Sequence, residues 1–550
     1  MLDIMKQQYD PAAKLVVRTA QTPGYHTRIP DGARVHPTRD SADYAIACLA
    51  RDDAEHRARG GEVIDALLAL QDADPMSRWF GLWGWVAEEP ASAMDPADYN
   101  WADFIGARLA QALVQFGDRL GEERRGRVLA ALDRAAMCIY RRNSDVGYTN
   151  IAVMGAGVCG VAGELLGRPV LLDYGRAKLR AVLELARRVG TFSEYNSPTY
   201  TLVALEECER IMALARDGDL RETALSLHRE AWRIIAEHWH PGTLQWAGPH
   251  GRAYSDRLQL RTRRRLAAAV GASLGLGDGG GERVASLVPV LPCPEEFRPR
   301  FTEPIAQPRT VTTDLGHDVD GVRKVASTWL APTCCLSCVT REHTWTQRRQ
   351  VLAYWPAGGG LDDTAVFKVQ WLMDGREMPG MRIAAAHEAN RALLALYPLH
   401  GCGAWHPIFH APPDSAFDVR DLRLRFALHA RDAHADALSP ARFELAAGDH
   451  RVRLDLPESM TFDGRPVQPT ITRDTGCAAV DIPCVEAPRR VDFVNLRVQL
   501  AAALQLLPPG MQAVDAGVTL TARDDQHEVS GDGLGLPAVV IPVQAQPFSW

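Results

Sequence analysis

The 550-residue chain has no surplus of basic residues: 61 Lys and Arg stand against 68 Asp and Glu, a formal net charge of −7. Holding nucleic acid by its phosphates takes a basic face, so no nucleic-acid partner is expected. No window approaches the ~18 consecutive apolar residues of a membrane helix. The opening "MLDIMKQQYDPAAKLVVRTA" also lacks the apolar run of a signal peptide. No membrane association is expected, and the cytoplasm is the expected compartment. Cysteines number eleven, an odd count at irregular spacing, which does not fit a disulfide framework. Cys48, Cys138, Cys159 and Cys208 lie in apolar helical runs and read as buried thiols. Cys335 and Cys338 have CxxC spacing, but no second pair follows, which argues against a zinc ribbon. There is no P-loop and no GxGxxG in a βαβ setting, so no nucleotide cofactor is expected. No metal or redox cofactor is expected either. Asp52 and Asp53 are not followed by the acid that a DDxxD metal motif requires.

What is present divides into two halves. From about residue 40 to 275, amphipathic runs follow one another, among them "ADYNWADFIGARLAQALVQFGDRL" and "EERRGRVLAALDRAAMCIYRRN". Their apolar residues recur at helical spacing, and most end at Gly, Asn or Pro. Ser41 is the expected N-cap of the first run. From about residue 305, short alternating or β-branched runs such as "TAVFKVQWL" and "LRLRFALHA" read as antiparallel strands of a sandwich. The expected layout is an N-terminal arm over 1–39, a helical domain over 40–282, a Pro-rich linker over 283–304 and a β-domain over 305–550.

Four polar clusters interrupt the helical half, with landmarks at Asn100, Asn150, Asn196 and His250, spaced 50, 46 and 54 residues apart. A pair of helices of about 20 residues each, with its turns, takes about 45–50 residues and returns the chain to its starting end. Clusters repeated once per pair therefore share one end of the array. If the pairs curl into a ring, the clusters converge on one mouth. The alternate turns, "FGDRLGEE", "LGRPVLLD" and "ARDGDLRE", are short and plain, and long loops on a rigid scaffold are where function concentrates.

This pattern resembles the toroid-type polysaccharide lyases, the chondroitin AC lyase-like and heparinase II/III-like groups, and related uronate epimerases. The resemblance implies an (α/α) toroid followed by an antiparallel β-sandwich, and a carbohydrate substrate carrying a uronate. It also implies an Asn, a His, a Tyr and an Arg as the chemical groups. The matching positions here are Asn150 or Asn196, then His250, Tyr254 and Arg252, the last three sharing the stretch "PHGRAY".

That chemistry removes the proton beside a carboxylate and expels the 4-linked oxygen. Fixed donors must hold the charge that develops on the carboxylate, which suits Asn and Arg. A tyrosine base, ordinarily of pKa about 10, needs a cation beside it. Each position also has a plainer use. Tyr254 reads as lying just inside a helix, where it could pack its ring. His250 fits a helix cap. Asn150 fits an N-cap as well as it fits a substrate contact. Asn196 has Ser197 beside it as the better cap and so keeps its amide free. Arg252 could join Arg257, Arg261, Arg263, Arg264 and Arg265, which read mostly as a solvated face. Trp83, Trp85 and Trp246 suit either sugar stacking or core packing. Asn100, Glu194 and Tyr200 are further substrate-binding candidates. His343 and Arg348, in "REHTWTQRRQVLAYW", are placed to reach over the mouth from the β-half or to line a strand edge.

Three other functions fit parts of this pattern. A glycoside hydrolase would need a carboxylate pair drawn from Glu88, Glu89, Asp98, Asp145, Glu194 and Asp256. A terpenoid-type dehydratase or cyclase would use the aromatic lining. A carbohydrate-binding protein would use the same mouth without turnover.

Overall fold

The computed structural model describes residues 6–21, 25–276, 287–318, 321–358, 363–401 and 415–548. Eight helices form four hairpins: α1 (Thr38–Leu49) with α2 (Ala54–Ala69), α3 (Asn100–Leu120) with α4 (Glu122–Arg142), α5 (Thr149–Leu166) with α6 (Pro169–Val189), and α7 (Tyr200–Leu214) with α8 (Gly218–His238). A shorter α9 (Leu260–Val270) follows.

The odd helices form an inner row, α1 on α3, α3 on α5 and α5 on α7, and the even helices form an outer row. Composition sets the layers. In α5 every residue from Thr149 to Gly163 is buried, whereas α4 and α6 bury one stripe and leave charge on the other face. α3 also touches α7, two places along, so the inner row curls into an open (α/α) toroid. Close approach is secured at Gly175, where a Cβ would lie 2.7 Å from the Ala156 carbonyl oxygen. By length and composition α5 is apolar enough to cross a membrane, contrary to the sequence expectation, but 83% of it is buried inside the protein.

The β-half is a sandwich of two large sheets. One runs Thr470–Asp474, Cys477–Val485, Leu422–His429, Thr364–Met373, Val351–Pro356, Cys335–Val339, Arg323–Leu330 and Arg309–His317, all antiparallel. The other centres on Met381–Glu388, Arg391–His400, Val498–Leu507 and His450–Asp455. The core between them includes Trp355, Phe367, Trp371, Leu394 and Leu504. A three-stranded sheet, Val518–Arg523, Gln526–Gly531 and Val539–Pro542, covers the far side of the second sheet.

Several local expectations change. Ser41 lies inside α1, where its hydroxyl donates to the Pro37 carbonyl at 2.8 Å; Pro37 holds the cap position. The arm is docked, with Leu15 and Val16 buried. The linker is docked as well, since Phe301 packs its ring 5.8 Å from Trp232 and 5.4 Å from Trp239. The expected boundary at 282/283 lies outside the described residues. Among the described residues every cysteine is free.

Candidate active site

The inner helices run side by side in one direction, so the N-termini of α1, α3, α5 and α7 share one end of the toroid. There the preceding loops meet. The Asn100 amide donates to the Tyr148 hydroxyl at 3.1 Å. Arg252 pairs with Glu194 at 3.2 Å, and the Tyr200 and Tyr254 hydroxyls lie 2.6 Å apart. Thus the first cluster touches the second and the third touches the fourth. Tyr148 lies within electrostatic reach of Glu194 and Arg252, which joins the two pairs. Helix N-termini carry partial positive charge and unpaired N–H groups, so this end favours an anion.

Arg252 sits at the centre. Its guanidinium donates to the Gln347 side chain at 2.7 Å and to the Tyr200 hydroxyl oxygen at 3.0 Å. It also lies 4.5 Å from the Tyr200 ring centre and 4.9 Å from that of Trp345. With its oxygen accepting from Arg252, Tyr200 can donate its own proton to Tyr254. Burial pushes the Tyr200 phenol well above its ordinary pKa, with Arg252 opposing, so Tyr200 keeps its proton. Tyr254 is 57% exposed and open to a ligand. It lies in the loop before α9 rather than inside a helix, because the 251–259 stretch is pinned elsewhere. Gly251 N–H donates to the Tyr195 carbonyl at 2.9 Å, where a Cβ would collide with the same oxygen. Ala253 N–H donates to the Gln347 carbonyl at 2.6 Å.

Glu194 is the second titratable group at the mouth. Burial raises its carboxyl to about 7, against the lowering effect of Arg252, the Asn150 N–H and Arg348. Near neutral pH it holds or releases a proton readily. Opposite it, Tyr148 accepts from Asn100, whose side-chain oxygen in turn accepts from Arg142 at 2.8 Å. That fixes the amide orientation and leaves the Tyr148 hydrogen for another acceptor. Burial raises the Tyr148 phenol to about 12, which keeps that hydrogen in place. Asn150 is in the first turn of α5 with Tyr148 at the cap position, so it does not cap. Its buried side-chain oxygen has no hydrogen-bond partner among the described residues.

Other candidates serve the framework. Asn196 adopts a left-handed backbone (φ 44°), and its amide donates to the carbonyls of Ala247 at 2.8 Å and Pro249 at 3.0 Å. Its side-chain oxygen accepts from the Trp246 indole at 2.5 Å. Both amide hydrogens are spent, so Asn196 staples the fourth loop and has none left for a substrate. Trp246 and Trp83 are buried core residues, the latter donating to the Leu67 carbonyl at 2.8 Å. Neither presents a face for stacking. Trp85 is partly exposed; it donates to Asp98 at 3.0 Å and packs 5.2 Å from Trp101.

His250 is buried, and its Nδ1 lies 2.7 Å from the Asn196 carbonyl oxygen, which places the proton on Nδ1. Burial lowers its pKa to about 3, so it is neutral and supplies no positive charge to Tyr254. That task falls to Arg252. His343 is also buried, 3.0 Å from Glu342, and burial lowers it to about 4. Its ring packs 4.9 Å from Phe548 within the β-half. Arg348 is bound to Glu342 but still acts electrostatically on Glu194. The basic series after Asp256 is solvated only in part: Arg261 and Arg264 are exposed, whereas Arg263 and Arg265 are buried, Arg265 against Glu209 and Glu206.

The β-half completes the mouth. The backbones of His250 and Arg349 exchange hydrogen bonds at 3.1 and 3.0 Å. Asp256 binds Arg349 at 2.5 Å and Lys368 at 2.7 Å. Burial opposes its charge, but these two cations win and hold it at about 2. Trp345 belongs to the stretch expected to reach over the mouth and packs against Arg252, whereas Gln347, which accepts from Arg252, was not singled out. Tyr148 was missed although it stands two residues before Asn150 in the second cluster. Among the described residues no group of three or more His, Cys, Asp or Glu is arranged to hold a metal.

What the fold and site define is an (α/α) helical domain joined to an antiparallel β-sandwich, with a tyrosine–arginine centre where the two meet. The family model of a domain of unknown function (DUF8769) matches residues 1–268. No curated protein matches the chain. Among solved structures the chain is similar to heparinase III, at 10% identity over 92% of this chain and 82% of that one, with a TM-score of 0.46. It is similar to chondroitin AC lyase of Streptomyces coelicolor A3 in complex with chondroitin sulphate, at 12% identity over 94% and 82%, TM-score 0.44. A heparan sulfate lyase HepC mutant from Pedobacter heparinus aligns at 8% identity over 92% and 82%, TM-score 0.36.

Proposed function

We propose that the chain is a carbon–oxygen lyase acting on a uronate-containing saccharide, with uronate epimerisation as the variant that shares its first step. The observation that carries this reading is the relay from Arg252 to Tyr200 to Tyr254. When Tyr254 is ionised, it accepts a hydrogen bond from the Tyr200 hydroxyl, which keeps its proton, while Arg252 holds the Tyr200 oxygen from behind. The Tyr254 phenolate takes the proton beside the substrate carboxylate. Those electrons form the carbon–carbon double bond as the neighbouring carbon–oxygen bond breaks, and the Tyr254 phenol returns the proton to the departing oxygen. The Tyr148 hydrogen and the Asn150 amide, at the N-terminus of α5, are the groups we assign to the substrate carboxylate. In an epimerase, the proton would instead return to the opposite face of the same carbon.

The test is a panel of uronate oligosaccharides followed by ultraviolet absorbance and mass. A lyase yields an unsaturated product of unchanged total mass, and Tyr254→Phe binds without yielding it. A second reading, a glycoside hydrolase, draws on Glu194, whose carboxyl at about 7 suits a general acid. It predicts reducing sugar with no unsaturation and a mass gain of one water.

A further inference from the structure

One cation at this end of the toroid, Arg39, takes no part in the proposed reaction. Arg39 stands in the first turn of α1, at the same end of the toroid as Tyr200. Arg39 is half-buried as a residue, and its guanidinium lies 4.0 Å from the centre of the Phe104 ring. Among the described residues it makes no hydrogen bond and no ion pair. The carboxylates nearest it along the helix are engaged elsewhere: Asp40 with Arg18 at 2.5 Å, and Asp43 with Arg108 at 2.7 Å. Glu207, which acts on it from α7, is held by Arg210 at 3.1 Å. Arg108 adds like charge. A partly buried guanidinium without a counter-ion is costly to keep, and its planar fork matches a carboxylate or sulfate.

A second observation links this cation to the site. Phe104 packs 5.4 Å from Trp101, Trp101 packs 5.2 Å from Trp85, and Trp85 lies 6.5 Å from Tyr25. Tyr25 is within electrostatic reach of Tyr254 and Arg252. Trp101, Trp85 and Tyr25 are each partly exposed. A row of rings therefore runs from Tyr25, within electrostatic reach of Tyr254, to the Phe104 ring beside Arg39, and such rings can stack against sugar faces.

We propose that Arg39 is the anion-gripping end of a subsite for a second acidic sugar unit, reached from Tyr254 along this row of rings. The proposal rests on the saccharide reading above. It makes the enzyme selective for chains in which an acidic group recurs beyond the unit that reacts.

Two measurements on the full chain test it. The first uses inorganic sulfate alone, comparing thermal unfolding of the parent and Arg39→Ala in sulfate and in chloride at matched ionic strength. Sulfate is expected to raise the melting temperature of the parent more than that of the variant, and in chloride the variant should melt no lower than the parent. Equal stabilisation of both by sulfate, or a lower melting temperature for the variant in chloride, overturns the site. The second uses Tyr254→Phe, with and without Arg39→Ala, titrated with uronate di- and tetrasaccharides. Arg39→Ala should weaken tetrasaccharide binding about 10- to 100-fold, the range of a charged hydrogen-bonded pair, and leave the disaccharide unchanged. Equal affinities with and without Arg39 overturn the subsite. If sulfate separates the two chains while no uronate saccharide binds or reacts, the anion site stands and the lyase reading falls.

Discussion

Tyr200 and Tyr254 place their hydroxyls 2.6 Å apart, and Arg252 reaches the Tyr200 oxygen from the other side at 3.0 Å. The order matters: the cation meets the buried phenol, and the buried phenol meets the exposed one. Tyr254→Phe should lower turnover by about 10²–10⁴ while leaving saccharide binding near its parent value. Tyr200→Phe should leave Tyr254 in place but lower turnover by about 10- to 100-fold, the worth of one charge-assisted hydrogen bond. Steady-state kinetics from neutral to alkaline pH check both. A Tyr200→Phe profile matching the parent would remove the relay.

Tyr148 offers a hydrogen whose direction is set by Asn100 and, behind it, Arg142. If it holds the substrate carboxylate as charge builds up, Tyr148→Phe should lower kcat by about 10²–10³ and change KM little. Asn100→Ala should give a smaller loss, because the hydroxyl remains but its aim is freed. A residue that only packs would change unfolding and not kcat, so melting curves accompany the kinetics.

Asn196→Ala tests the reassignment of that residue. It removes two amide donors and leaves the Ala247 and Pro249 carbonyls and the Trp246 indole unpaired in a buried site. Loss of roughly 2–5 kcal/mol of stability is expected by denaturant unfolding. A variant as stable as the parent but inactive would return Asn196 to the reacting groups.

These corrections show what was legible in sequence. The hairpin beat could be read because α3, α5 and α7 each open beside a polar cluster and the fourth cluster follows α8, so Asn100, Asn150, Tyr200 and Tyr254 arrive at one end. The role of Asn196 could not, since its partners lie about 50 residues ahead and its left-handed backbone has no local signature. Arg265 was read as solvated because its partners Glu206 and Glu209 belong to another helix. α9 starts later than its apolar pattern indicates because β-half residues claim the preceding stretch: Arg257 donates to the Thr364 carbonyl at 2.9 Å. Trp345 and Gln347 meet Arg252 only through docking of the two halves, which no local pattern encodes.

Asp103 gives a pH prediction independent of substrate. It is buried in the first turn of α3, 3.4 Å from Arg142, and burial raises its carboxyl to about 7. Between the ordinary value near 4 and about 7, the folded chain binds more protons there than the unfolded chain. Its contribution to stability is therefore full below about pH 4 and is lost as pH rises to about 7. Asp103→Asn should remove that decline, so the stability of the variant relative to the parent rises across this window. Denaturant unfolding at pH 4, 5.5 and 7 checks the sign, and a constant difference would contradict it.

The most direct measurement follows the hydrogen beside the carboxylate of a uronate oligosaccharide in deuterated water by proton NMR. The account predicts that the parent chain removes or exchanges that hydrogen and that Tyr254→Phe leaves it intact on bound saccharide. Cleavage by the parent with that hydrogen retained in every product would contradict it.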